Sequence, residues 1–176
     1  VNIDISTNGG TGWTSLASNT ANDGSETVTM PSTPSTTCLV RVQGTSGTPT
    51  DSSNANFTLS PAFITVNSPN GGETWGTSSV QTVTWTSGGV TGNVNIDIST
   101  NGGTGWTSLA SNTANDGSET VTMPATASTT CLVRVQGTSG TPTDNSNANF
   151  TLVAPQITVT APNGGESWAA NTTQTV

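Results

Sequence analysis

The sequence predicts an all-β protein assembled from repeated, sandwich-sized segments, and three observations predict it. Apolar residues alternate with Thr, Ser and Asn in short β-branched runs, the period-two pattern of half-buried strands. Gly-rich turns separate these runs, and no stretch shows the 3.6-residue helical period. Residues 1–60 return as residues 94–153 with four differences: Ser32/Ala125, Pro34/Ala127, Ser52/Asn145 and Ser60/Val153.

Val94 repeats Val1, a shift of 93 residues. A solenoid unit is shorter, about 20–50 residues, whereas a β-sandwich domain is close to this length. "ITVNSPNGGETWGTSSVQTV" at 64–83 also returns, more loosely, as "ITVTAPNGGESWAANTTQTV" at 157–176. The expected organisation has three parts. Residues 1–60 form an incomplete module lacking its first strands, 61–153 a complete module, and 154–176 the opening strands of a further one. "LSPAF" and "LVAPQ" join them through single prolines, so neighbours should be closely coupled.

Within 61–153 the expected elements follow in order. "FITV" (Phe63–Val66) is a first strand, and "SPNGGETW" a turn centred on Asn-Gly. "VQTVTWTS" (Val80–Ser87) alternates, with Val83 and Trp85 on one face. "NVNIDIST" sets Val94, Ile96 and Ile98 on one face and Asn95, Asp97 and Ser99 on the other. "NGGTG" is a hairpin loop where glycine supplies positive φ. "WTSLAS", "SETVTM", "TCLVRVQG" and "ANFTL" complete about seven strands. Cys131, Val133 and Val135 share one face of the sixth. Trp85, Ile96, Val133 and Phe150 are the expected core, and a buried Trp needs a partner for its indole N–H. Seven strands at this spacing read as an immunoglobulin-like Greek-key sandwich.

These motifs, "ITVNSPNGGETW", "VTWTSGG", "VNIDISTNGGTGW", "CLVRVQG" and "DSSNANFTL", resemble the Ser/Thr-rich, GPI-anchored-type Ig-like repeat family. That family is named for fungal cell-wall β-1,6-glucan assembly proteins, and similar repeats occur in tandem in secreted bacterial and archaeal surface proteins. The resemblance spans the whole 93-residue module. It implies an Ig-like fold and an extracellular or cell-surface setting, and it implies little about function, because such modules are accessory parts of longer chains.

Composition excludes several function classes. Only 7% of residues are charged, ten acids against Arg41 and Arg134, for a net charge of -8. Nucleic acid is an unfit partner, since phosphate binding needs clustered Lys and Arg. No window is apolar enough for membrane insertion. Histidine and lysine are absent, which removes the common general bases and the Ser-His-Asp and Cys-His arrangements. The carboxylates Asp97 and Glu119, with Asp4 and Glu26, lack any sign of a shared cleft. No enzyme, no catalytic residue and no cofactor is therefore expected. Isopeptide crosslinks need lysine and are excluded.

The remaining candidates each have a structural reading beside the functional one. Asp51, Asp144, Asp23 and Asp116 are weak calcium candidates, though calcium wants 6–8 oxygens and Asx-turn capping explains the same residues. "STNGGTGW" (Ser6–Trp13, Ser99–Trp106) resembles the Asp-box hairpin, a folding element. Asn56, Asn149 and Asn171 begin glycosylation sequons. Cys38 and Cys131 hold equivalent places, one per copy, so each is a buried thiol or a crosslink between copies or chains. Trp106 and Trp75, with Trp13 and Trp168, are candidates for stacking on cell-surface glycans.

The leading expectation is structural: an extracellular filament or stalk of near-identical modules. Two accounts suit the odd ends, an excerpt of a longer array or head-to-tail strand complementation into a homopolymer. In the second, Ile157, Val159, Thr175 and Val176 are the inter-subunit strand residues. The alternative is a carbohydrate-binding or adhesive accessory module.

Overall fold

The computed structural model describes all 176 residues. The chain is all-β, with fourteen strands and no helix. It divides into two compact units, Val1–Ile64 with Ser87–Thr91, and Thr65–Thr86 with Gly92–Val176.

The first unit carries β1 (Asn2–Ser6), β2 (Thr14–Ala17), β3 (Ser35–Gln43), β4 (Thr50–Ser52) and β5 (Phe57–Leu59). They form one sheet in the order β2-β1-β3-β4, with β5 also paired to β3. β1 lies antiparallel to β3 with Asp4 opposite Arg41 and Ile5 opposite Val40.

The rest of the strands are β6 (Phe63–Ser68), β7 (Thr74–Gly76), β8 (Val80–Gly88), β9 (Val94–Ser99), β10 (Thr107–Thr113), β11 (Ser118–Thr122), β12 (Ser128–Gly137), β13 (Thr143–Asn145) and β14 (Phe150–Val153). They build a sandwich-like pair of sheets, one ordered β11-β8-β6 and the other β10-β9-β12-β14-β7, with β13 on β12. β7 runs parallel to β14, Trp75 opposite Leu152. The alternation read from the sequence places the core: Val94, Ile96, Ile98, Cys131, Val133 and Val135 are all buried. Trp85 and Phe150 join them. The Trp85 indole N–H donates to Asn115 Oδ1 at 2.8 Å, so the largest core side chain leaves no unpaired donor.

Two strands depart from the sequence expectation. "SPNGGETW" was expected as turn alone, yet its last residues enter β7. β13 had no expected counterpart at all.

The segment Ala154–Val176 is exposed throughout and contains no strand. Its sequence resembles that of β6, β7 and the start of β8, but a strand needs a ladder partner for its N–H and C=O groups. Ile157 is 99% exposed where Ile64 is 5%.

Candidate self-association surface

Residues 1–60 reproduce the pairing of residues 94–153. Asp4 sits opposite Arg41 as Asp97 sits opposite Arg134, and all five pairs of the first ladder recur 93 positions on in the second, which adds Val94 opposite Gly137. What differs is cover. In the second unit the sheet β11-β8-β6 supplies Val66, Val83 and Trp85 to the core. Nothing in residues 1–60 takes those places. Met30 is 40% exposed where Met123 is 2%, and Val42 is 41% exposed where Val135 is 0%. Shallow grooves open on this uncovered face, one of about 290 Å³ beside Val1, Asn22 and Val42. Another, of about 180 Å³, lies beside Ile3, Ser25 and Glu26.

The edge of this face is short of partners too. In the second unit Asp144 accepts a hydrogen bond from the Val66 N–H at 2.8 Å, tying β6 to β13. Ser146 donates to the Pro69 carbonyl at 2.7 Å. The Asn147 N–H donates to Asn70 Oδ1 at 2.7 Å, and the Thr151 N–H donates to the Glu73 carbonyl at 2.9 Å. The counterparts Asp51, Ser53, Asn54 and Thr58 have no strand in the place of β6 or β7 beside them, because β4 and β5 pair only with β3. Sequence reasoning missed this role for Asp144: its backbone donor lies 78 residues away, beyond any local signal.

The four inter-subunit strand candidates lie in the exposed segment. Ile157, Val159 and Val176 are exposed, and Thr175 is exposed beside Val176. Their counterparts Ile64, Val66 and Val83 are buried. One feature of the segment is already formed. The Asn163 and Gly164 N–H groups donate to the two Glu166 carboxylate oxygens at 2.8 and 2.7 Å. Asn70 and Gly71 do the same to Glu73 at 2.7 and 2.8 Å. The Asn-Gly-Gly-Glu turn is thus written locally, whereas the strands beside it are not. Burial raises the Glu73 pKa, but the N–H donors of Asn70, Glu73 and Gly71 outweigh it and hold the carboxyl below the ordinary value. For exposed Glu166 the same donor set, from Asn163, Glu166 and Gly164, lowers it. Gly71 also needs to be glycine: its φ is +125°, and a Cβ there would meet Ala148 Cβ at 2.6 Å.

The other candidate residues fall into structural arrangements. Asp116 and Asp23 each accept a backbone N–H two residues ahead, at 3.3 Å, as capping Asx turns do. No group of three or more His, Cys, Asp or Glu comes together. Arg134 reaches Asp97 at 2.8 Å, Gln136 adds a bond to the same oxygen at 3.3 Å, and the guanidinium lies 4.4 Å over the Trp106 ring. Arg41, Asp4, Gln43 and Trp13 repeat the arrangement. Both cations of the chain are spent this way. Glu119 instead accepts from the Thr113 hydroxyl. Trp75 packs at 5.3 Å on Phe150, and Trp168 is 43% exposed. The Asp-box-like loop is a local turn: Ser99 Oγ takes the Gly103 N–H at 2.8 Å, and Asn101 Oδ1 takes the Gly105 N–H at 2.9 Å. Cys38 and Cys131 are buried free thiols. An open groove of about 930 Å³ beside Thr77, Thr129 and Leu152 has no titratable side chain in its lining.

No family model, curated protein or solved structure matches this chain.

Proposed function

We propose that this chain is a structural element of an extracellular filament or stalk, a string of near-identical immunoglobulin-like Greek-key sandwiches about 93 residues long. The strand order supports the Greek-key reading. The first, second and fifth long strands (β6, β8, β11) form one sheet, and the third, fourth, sixth and last (β9, β10, β12, β14) form the other.

The observation that supports the functional reading is the near-exact return of residues 1–60 as residues 94–153, the second copy packing with residues 61–93 as a sandwich-like pair of sheets. Heterologous contacts between repeated modules extend into filaments unless the rotation closes. The near absence of charge removes the lysines that ordinarily keep sheet edges apart. For a carbohydrate-binding role, one ring face of Trp106 is already taken by Arg134.

Negative-stain microscopy of the purified chain tests the reading. Long fibres with an axial repeat of one or two sandwiches are expected. Dispersed particles at all concentrations count against it.

A further inference from the structure

We propose that Asn70 is a self-modification site: in the folded chain its side-chain amide closes on the Gly71 nitrogen, with Glu73 as the general base, and is converted to aspartate or isoaspartate. This chemistry is independent of the filament reading. Asparagine followed by glycine is the pair best suited to such closure, because glycine has no Cβ to obstruct the attacking nitrogen. Four such pairs occur, at 8–9, 70–71, 101–102 and 163–164. Only Asn70–Gly71 combines an anionic acceptor on the attacking nitrogen with a donor on the amide oxygen under attack.

The Gly71 N–H donates to Glu73 Oε2 at 2.8 Å, so the nitrogen already faces a group that can take its proton. Burial works against ionisation of Glu73, yet the backbone donors of Asn70, Glu73 and Gly71 hold its carboxyl below the ordinary value. It is therefore a carboxylate at neutral pH. The Asn70 N–H donates to Glu73 Oε1 at 2.7 Å, and the two bonds together fix the carboxylate against the turn. Asn70 Oδ1 accepts the Asn147 N–H at 2.7 Å. A donor there draws electrons from Cγ and stabilises the oxyanion that forms on attack. At Asn101–Gly102 the side-chain oxygen is polarised too, by the Gly105 N–H at 2.9 Å. The Gly102 N–H, however, donates to the Thr130 carbonyl at 2.9 Å, and a neutral carbonyl takes no proton. Asn8–Gly9 repeats that arrangement, with Gly9 on the Thr37 carbonyl. Asn163–Gly164 has a carboxylate, Glu166, without a backbone donor on the asparagine oxygen.

The step balances with water as the only co-reactant. The Gly71 N–H proton passes to Glu73 Oε2 as the Gly71 nitrogen bonds to Asn70 Cγ. The Cγ–Nδ2 bond then breaks, Nδ2 takes the proton from Glu73, and ammonia leaves a cyclic imide. Water opens the ring at Cγ to give aspartate, or at the backbone carbonyl to give isoaspartate. Glu73 ends as it began. Either product sets a second carboxylate beside Glu73, and isoaspartate adds a methylene to the backbone. The change falls on the turn that leads into β7, the strand paired with β14.

The test incubates the full chain, unaltered and as Glu73→Gln, both folded and in urea. Peptide mapping by mass spectrometry reads the amide-to-acid change at each asparagine separately. In the folded unaltered chain Asn70 should convert at least about 10-fold faster than Asn101 or Asn8, a modest share of what a positioned general base supplies. Glu73→Gln should bring Asn70 down to the rate of Asn101. Between about pH 6 and 8 the rate at Asn70 should stay level, because the carboxylate is ionised throughout, while that at Asn101 rises with hydroxide. Asn70 converting no faster than Asn101 overturns the proposal. So does faster conversion in Glu73→Gln, which would make Glu73 a guard of the nitrogen instead of its base. A rate at Asn70 that follows hydroxide overturns it as well. The urea arm needs no variant and holds even where Glu73→Gln disturbs the turn. Asn70 of the unaltered chain should convert faster folded than in urea, and Asn101 slower. Urea that speeds both pairs alike shows a fold that only protects them, and sinks the proposal.

Discussion

Residues 1–60 and 94–153 are nearly one polypeptide written twice, yet only the second copy packs a closed core. β1 and β3 pair as β9 and β12 do, residue for residue. The Asp-Arg-Gln-Trp cluster and the Ser-Asn-Gly turn are the same in both. What the first copy lacks is whatever needed β6 and β8. "SETVT" is a strand at 118–122 and not at 25–29, and Met30, Val42 and Val28 lose the burial of Met123, Val135 and Val121. Pairing between neighbours is therefore intrinsic to the sixty residues, while the second sheet is conditional on a partner.

The largest test of that contrast is a paired truncation. Phe150→Ala removes a fully buried ring and should cost about 3–5 kcal/mol. Phe57→Ala, at a half-buried position, should cost less than half as much. Urea unfolding with hydrogen exchange resolved to β5 and β14 reads the two separately. Equal costs would mean the first copy is packed as tightly as the second, and the contrast would be lost.

A second pair should show no contrast. Arg134→Ala and Arg41→Ala each strand a mostly buried carboxylate, Asp97 or Asp4, and uncover an indole face. Each should cost about 1–2 kcal/mol, and the two should agree within about 0.5 kcal/mol, since neither cluster involves β6 or β8. Unfolding followed by Trp fluorescence checks this. A much larger loss at Arg134 would show that the three-stranded sheet also supports the cluster.

The same contrast explains what could be read without coordinates. Alternation placed Val94, Ile96, Ile98, Cys131, Val133 and Val135 inward, and the lone Trp of the second long strand into the core, because period-two burial is a local property. β7 and β13 went unread: three residues hold no period, and β7 is drawn into line by β14, some 75 residues later in the chain. Asp144 was weighed as a metal ligand or a self-capping turn residue, and it serves instead as the acceptor that ties down β6. No local reading can tell residues 25–29 from 118–122, because their letters are identical. Ile157, Val159, Thr175 and Val176 were expected as strand residues from their likeness to 64–83, yet the segment forms no strand, because a strand depends on what lies beside it.

The smallest effect probes the one feature of the 154–176 segment that needs no partner. Glu73 and Glu166 both have carboxyl groups held below the ordinary value of 4.5 by backbone donors in their own turns. A depressed folded pKa stabilises the folded turn above the unfolded value, and that contribution is lost as pH falls through the folded value. Stability of the second unit should thus be flat from neutrality to about pH 5 and decline below about pH 4. Glu73→Gln, which keeps one acceptor oxygen, should cost about 0.5–1 kcal/mol at pH 7 and flatten that decline. Carboxyl chemical shifts followed through the titration compare the two turns directly. If Glu166 titrates below ordinary glutamate as Glu73 does, the turn folds without a sheet beside it. If Glu166 titrates at the ordinary value while Glu73 does not, the turn too is conditional on a partner. The boundary between intrinsic and conditional structure would then move inward to the Asp-Arg-Gln-Trp clusters and the strands that hold them.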